Sequence, residues 1–132
     1  MAATPTAVGD LGGSTLARLS IRIDLDGGFR IGPGKIRLLE LIEATGSISA
    51  AGRAMAMSYR RAWLLVESLN TSFREPVVAA QSGGRHGGGA KLTPFGHDLV
   101  ACYRAIEREA AAAADRHLVV IEAAQVPAGD LR

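Results

Sequence analysis

GSISAAGRAMAMSYRRAWLLVESLN, Gly46 to Asn70, is the stretch whose reading decides the fold. Gly46 tolerates the left-handed conformation that ends a preceding helix. Ser47 offers a hydroxyl to cap the next one. Ile48, Ala51 and Met55 then recur on one face, and Ala50, Ala51, Gly52 and Ala54 are small enough to let another helix approach closely. Ala56-Met57 reads as a turn, and Ser58 as the N-cap of a third helix. Two short helices joined by a tight turn form a helix-turn-helix.

The third helix has two sides. At 100° per residue, Tyr59, Ala62, Trp63, Val66, Leu69 and Asn70 fall together, and Arg60, Arg61, Leu64, Glu67, Ser68 and Thr71 fall opposite. The first set is expected in the core, anchored by Trp63, with Tyr59 and Trp63 packing rather than stacking on bases. The second is a narrow polar face with two arginines in its first turns. A B-DNA major groove admits one helix, and arginine can bind guanine O6 and N7 with two hydrogen bonds. Arg60 or Arg61 is therefore expected to read a base while the other holds phosphate. Ser58 is placed for phosphate, where the helix N-terminus assists. Leu64, a leucine on a polar face, suits a thymine methyl. The competing reading is a solvated face bearing ordinary arginines.

Downstream, SGGRHGGGAKLT, Ser82 to Thr93, reads as a glycine-rich hairpin tip. Val77–Ala80 and Ala90–Leu92 are its expected strands. Arg85 and His86 sit at the tip and Lys91 on the return. Such a tip lets backbone approach phosphates or a narrow minor groove, where arginine is favoured. Gly84 to Lys91 is a near miss to a nucleotide-phosphate loop, but it lacks the adjacent Gly-Lys-Ser/Thr and no helix is expected to begin at the lysine. A merely flexible loop is the plain alternative.

Working outward, residues 1–17 read as a flexible arm. Leu19 to Leu25 alternate as a half-buried strand, Asp26-Gly27-Gly28 is a turn signal, and Phe29-Arg30-Ile31 suits a short return strand. Lys35 to Ala44 is expected to be helical, with Ile36, Leu39 and either Leu38 or Ile42 inside. Thr93-Pro94 opens a long helix with a hydroxyl cap and proline at the first position. Its expected stripe is Phe95, Leu99, Cys102, Tyr103 and Ile106. Ala110 to Ala114, five consecutive alanines, suit packing against a second helix. Leu118 to Ile121 either extends that helix or forms something separate, and residues 122–132 read as a tail.

Composition bounds these readings. The 132 residues support one domain, and 48% hydrophobic content allows a core without disulfide staples. Cys102 is the only cysteine, so neither an intramolecular disulfide nor a cysteine zinc cluster is available, and its setting reads as core. No apolar run approaches the ~20 residues of a membrane span. The N-terminus lacks a basic segment leading into an apolar one, so a cytoplasmic protein is expected. The net charge of +2 is uneven. From Arg53 to Lys91 six basic residues meet two acidic ones, leaving +4 there and −2 elsewhere. That concentrates positive charge where a polyanion would bind. His86, His97 and His117 are far apart and in no ligand spacing. His97 beside Asp98 reads as a surface residue. No GxSxG element or paired-carboxylate motif appears, so an enzyme is not expected.

The combination of Gly34-Lys35-Ile36 with Leu38-Leu39 and Ile42, Gly46-Ser47-Ile48-Ser49-Ala50-Ala51, Met57-Ser58-Tyr59-Arg60-Arg61-Ala62-Trp63, Leu69-Asn70 and Gly83-Gly84-x-x-Gly87-Gly88-Gly89-Ala90-x-Leu92-Thr93-x-x-Gly96 resembles the N-terminal domain of the ModE family. These are molybdate-responsive bacterial transcription regulators, distantly similar to the DNA-binding end of LysR-type regulators. The resemblance covers roughly residues 19–110. It implies a homodimer joined through helices that include the one after the wing, and a palindromic operator on double-stranded DNA. Two-fold symmetry would place recognition helices about 34 Å apart. The resulting candidate DNA-contact set is Ser47, Ser58, Tyr59, Arg60, Arg61, Leu64, Arg85, His86 and Lys91. Typical members also carry C-terminal molybdate-binding domains, and this sequence stops about where those would start. Molybdate or tungstate is thus an expected effector without a recognisable site. Constitutive binding, sensing through a partner and an unfamiliar ligand site all remain open.

The expected architecture is an α+β winged helix-turn-helix with a long C-terminal dimerisation helix. The arm is 1–17, the DNA-binding domain 18–93, the long helix and following segment 94–121, and the tail 122–132. The alternative is a winged-helix protein-interaction module that binds no DNA.

Overall fold

The structure, a computed structural model, describes residues 16–82 and 88–130. Its elements in order are β1 (Ile23–Asp24), a 3-10 turn (Asp26–Gly28), β2 (Arg30–Ile31), α1 (Pro33–Thr45), α2 (Ile48–Ala54), α3 (Tyr59–Ser72), β3 (Val78–Gln81), β4 (Gly89–Leu92), α4 (Pro94–Ala124) and a final 3-10 turn (Ala128–Asp130). Both two-stranded sheets are antiparallel. This is the α+β, winged-helix arrangement that the sequence implies. The described residues fall into two units, one within residues 21–104 and one of residues 16–20 with 105–130.

In the unit of residues 21–104, local chemistry sets each helix boundary. Pro33 starts α1, where its missing N–H leaves no intrahelical bond unmade. Gly46 ends α1 with φ 82°, and its N–H donates to the Ile42 carbonyl at 2.8 Å. Ser47 Oγ accepts from Ala50 N at 2.9 Å to cap α2, and Ser58 Oγ accepts from Arg61 N at 3.1 Å to cap α3. Between these helices Met57 N donates to Gly52 O at 2.9 Å, and Ala56 takes φ 57°. That left-handed alanine costs about 1–2 kcal/mol. Thr93 Oγ1 accepts from Gly96 N at 2.9 Å, capping α4 before Pro94.

The core is built from α1, α3 and the hairpin. Ile36, Leu38, Leu39 and Ile42 of α1 are all completely buried, so Leu38 and Ile42 are both inside. They meet Ala62, Val66 and Leu69 of α3, Val77, Val78, Ala90 and Leu92 around the hairpin, and Tyr103 of α4. A Cβ on Gly52 would lie 3.1 Å from Ala62 Cβ, so α2 and α3 approach as closely as the small residues allow. Phe73 bridges Phe29 and Phe95 with ring centroids 5.7 and 5.3 Å away. Lys35 Nζ lies 4.3 Å from the Phe29 ring centre and donates to Arg30 O at 2.6 Å. Burial first, and the Arg30 charge second, lower its pKa. Glu40 of α1 takes two bonds from Arg104 of α4, at 2.9 and 2.7 Å. Those bonds, with the nearby positive charge, hold its carboxyl below the usual range.

Three expectations change. The alternating stretch Leu19–Leu25 is a strand only at Ile23–Asp24, paired with Ile31 and Arg30. Its partner is too short to extend the ladder, Leu19 and Leu25 are exposed, and the Ile21 carbonyl instead accepts from Tyr103 Oη at 2.6 Å. Cys102, expected in the core, is exposed. Ile106, expected on the same inward stripe, is also exposed, since it lies past Tyr103, the last buried residue of α4.

In the other unit, α4 continues unbroken through Leu118–Ile121 to Ala124. That decides the segment that sequence left open, and carries the helix past residue 121. Leu16 N donates to both oxygens of Glu122, at 3.1 and 3.0 Å. The arm expected over residues 1–17 lies almost wholly outside the described residues. Among the described residues no helix is long and apolar enough to cross a membrane.

Candidate nucleic-acid interface

Helix α3 is the centre of the site. Its buried side is Ala62, Val66 and Leu69, with Leu65 half-buried against the core. Arg60, Arg61 and Glu67 are exposed, and so is Leu64 at 46%. Among the described residues no ion pair holds Arg60 or Arg61. Ser58, Arg60, Arg61, Leu64 and Leu65 line a shallow depression of about 260 Å³ along the first turns of the helix. Within this face Arg60 and Leu64 point most directly away from the Ala62–Val66–Leu69 stripe. Arg61 lies to one side, nearer half-buried Leu65.

Tyr59 and Trp63 require a correction. Both were expected in the core, yet Tyr59 is 56% and Trp63 43% exposed. The contact of Gly52 with Ala62 sets the inward direction of α3 on its small residues. That rotation leaves Tyr59 and Trp63 at the rim of the core.

The hairpin is fixed beside α3 by Asn70, expected only as part of the core-facing side of the helix. Asn70 Oδ1 accepts from Val77 N at 2.7 Å and Val78 N at 3.0 Å, while its Nδ2 donates to Val78 O at 3.0 Å. A lone amide on an apolar side was the available signal. Helix α1 holds the other strand. Glu43 Oε1 accepts from Leu92 N at 3.0 Å, and Gly46 O accepts from Ala90 N at 2.8 Å. The second Glu43 oxygen lies 3.6 Å from His97 Nε2, so His97 is a surface residue with a carboxylate neighbour.

Lys91 is exposed on β4, opposite Ala79. Its strand position does not supply the helix start that a nucleotide-phosphate loop requires. Arg85 and His86 lie outside the described residues, as do Gly83, Gly84 and Gly87. Ser47 caps α2 and does not line the depression on α3. Among the described residues no three His, Cys, Asp or Glu side chains gather as a metal site would need.

Comparison with known proteins supports the resemblance. The chain is 45% identical over 101 residues to the "Molybdenum transport protein ModE" of Azotobacter vinelandii, covering 76% of this chain and 37% of that protein. It is 50% identical over 80 residues to the "Molybdenum-pterin-binding protein MopB" of Rhodobacter capsulatus, covering 61% and 30%. It is 37% identical over 71 residues to the "DNA-binding transcriptional dual regulator ModE" of Escherichia coli K12, covering 54% and 27%. The matched part spans about a third of the length of these curated relatives. No protein-family model matches the chain. The likeness to a ModE-type N-terminal domain thus stands on sequence comparison as well as on motifs.

Proposed function

We propose that this chain is a sequence-specific DNA-binding transcriptional regulator of the ModE type, linked to molybdenum-related genes. The observation that carries the reading is the exposed face of α3, where Arg60 and Arg61 stand without ion pairs among the described residues. Arg60, directed away from the core, reads a base edge through two hydrogen bonds. Arg61, at the side of the face, holds phosphate with Ser58 and the helix N-terminus. Lys91 adds a phosphate contact from the hairpin. Leu64 meets an apolar base edge such as a thymine methyl.

The chain acts as a homodimer through α4, so that two recognition helices meet a palindromic operator. Exposed Val120 and Ile121 support an apolar partner for the second half of that helix. The molybdenum link rests on the names of the relatives, and molybdate or tungstate is the effector we propose. One observation favours a second reading, a protein-interaction module. Tyr59, Trp63 and Leu64 are all exposed, and large exposed apolar side chains also suit a protein partner.

An anisotropy titration separates these readings. Duplex from upstream of the gene is compared with a scrambled duplex, at rising salt, with and without molybdate. Tight binding to the native duplex that weakens steeply with salt is the expected result. Failure to bind either duplex at low salt would overturn the regulator reading.

A further inference from the structure

We propose that Trp63, flanked by Tyr59, is a DNA-contacting residue that packs against the deoxyribose edge of the strand running between α3 and the β3–β4 hairpin. The proposal rests on the DNA-binding reading and adds to it a contact that neither arginine can make. Trp63 lies seven residues before Asn70, two helical turns and about 10 Å along the same side of α3. Asn70 fixes that side by bonding the start of β3. Trp63 therefore stands on the hairpin side of the recognition helix, opposite the side occupied by Arg61 and Leu65.

A duplex whose major groove takes α3 and whose flank meets the hairpin passes a sugar-phosphate edge along this side. Its phosphates suit the exposed cation Lys91. Its deoxyribose carbons offer apolar surface, which the half-exposed indole can cover. Tyr59, one turn earlier, presents a hydroxyl that can donate to a phosphate oxygen. The patch adjoins Arg60 on the exposed face of α3, and that positive charge, partly offset by exposed Glu67, favours a polyanion over an apolar protein surface. Stacking between bases is disfavoured, because the duplex would have to unstack at a cost of a few kcal/mol.

Trp63 is the only tryptophan in the chain, so tryptophan fluorescence reports on this residue alone. The full chain is titrated with a short, labelled, mixed-sequence duplex at low salt, following label anisotropy and acrylamide quenching of tryptophan together. The expected result is rising anisotropy with a matching loss of acrylamide access to Trp63. Trp63→Ala is expected to weaken binding about tenfold, equivalent to about 1.4 kcal/mol, without changing the salt slope. Trp63→Phe, which keeps an aromatic ring and the fold, is expected to retain most of the affinity. Rising anisotropy with unchanged quenching would overturn the contact while leaving DNA binding intact. No rise in anisotropy would overturn both. Shielding that Trp63→Phe and Trp63→Ala both leave without effect on affinity would reduce the indole to a bystander, and also refute the proposal.

Discussion

Asn70→Ala should loosen the hairpin from the recognition helix. The amide makes three hydrogen bonds, and its partners Val77 and Val78 are buried. Val77 N is outside the β3–β4 ladder, which begins at the Val78–Leu92 pair, so the amide oxygen is its acceptor. At about 1 kcal/mol net per bond, removing all three costs about 3 kcal/mol. Burial of the orphaned N–H groups pushes the cost upward, and water entering the small gap left by alanine pulls it down. Urea denaturation followed by circular dichroism measures this directly, as a lower midpoint at unchanged slope. Asn70→Asp separates the contributions. It keeps the acceptor for both N–H groups, loses the donor to Val78 O and should cost less than alanine. A loss below about 1 kcal/mol for Asn70→Ala would refute the latch, because one ordinary bond would account for it. If the hairpin position matters for binding, the same variant should also lose DNA affinity beyond its loss of stability.

Other substitutions test the remaining contacts. Gly96→Ala drives a Cβ into the Val77 carbonyl oxygen and against Leu92, so it should destabilise by about 2–3 kcal/mol in the same urea assay. Gly34→Ala, at an open helical position, should instead stabilise by about 0.5 kcal/mol, and equal effects would contradict the close approach of α4 to Val77. Glu40→Gln should cost about 1 kcal/mol at neutral pH, a modest figure because the Arg104 pair is partly exposed. Glu40 has its folded pKa lowered from 4.5, so its contribution is present above that value and lost as pH falls through the lower folded one. The variant and the parent should therefore converge in acid, and a constant gap would argue against the ion pair. Glu67→Gln removes a negative charge from the exposed face of α3. At a separation of about 8 Å in water this should tighten duplex binding by about 0.5 kcal/mol, roughly twofold, and weaker binding would show that Glu67 itself contacts DNA.

Much of the fold was legible because short-range chemistry fixes it. Gly46, Ser47, Ser58 and the Thr93-Pro94 pair each act within one helical turn, and each ends or starts a helix where the sequence placed it. The hairpin strands fall on the two apolar runs that flank the glycine-rich stretch. Legibility failed where a distant contact sets orientation. Trp63 looked like a core anchor because it shares a side with Val66, but the approach of Gly52 to Ala62 turns it to the rim. Cys102 adjoins buried Tyr103, and sequence could not say which of the two α4 turns inward. Asn70 and Glu43 bind backbone groups of the hairpin region, a long-range use that no local pattern announces. Of the candidate contacts, Ser58, Arg60, Arg61 and Leu64 come together, while Ser47 and Lys91 lie on other elements.

Selection of bound sites from a random duplex library, run in parallel with the parent chain, Arg60→Ala and Arg61→Ala, tests base reading by α3 most directly. The parent should enrich a two-fold symmetric site with half-sites about one helical turn, roughly 34 Å, apart. Arg60→Ala should lose preference at one guanine in each half-site. Arg61→Ala should keep the same site but bind it more weakly, with a salt slope smaller by about one. Enrichment of no site by the parent, or identical base preferences in the parent and Arg60→Ala, would contradict this account.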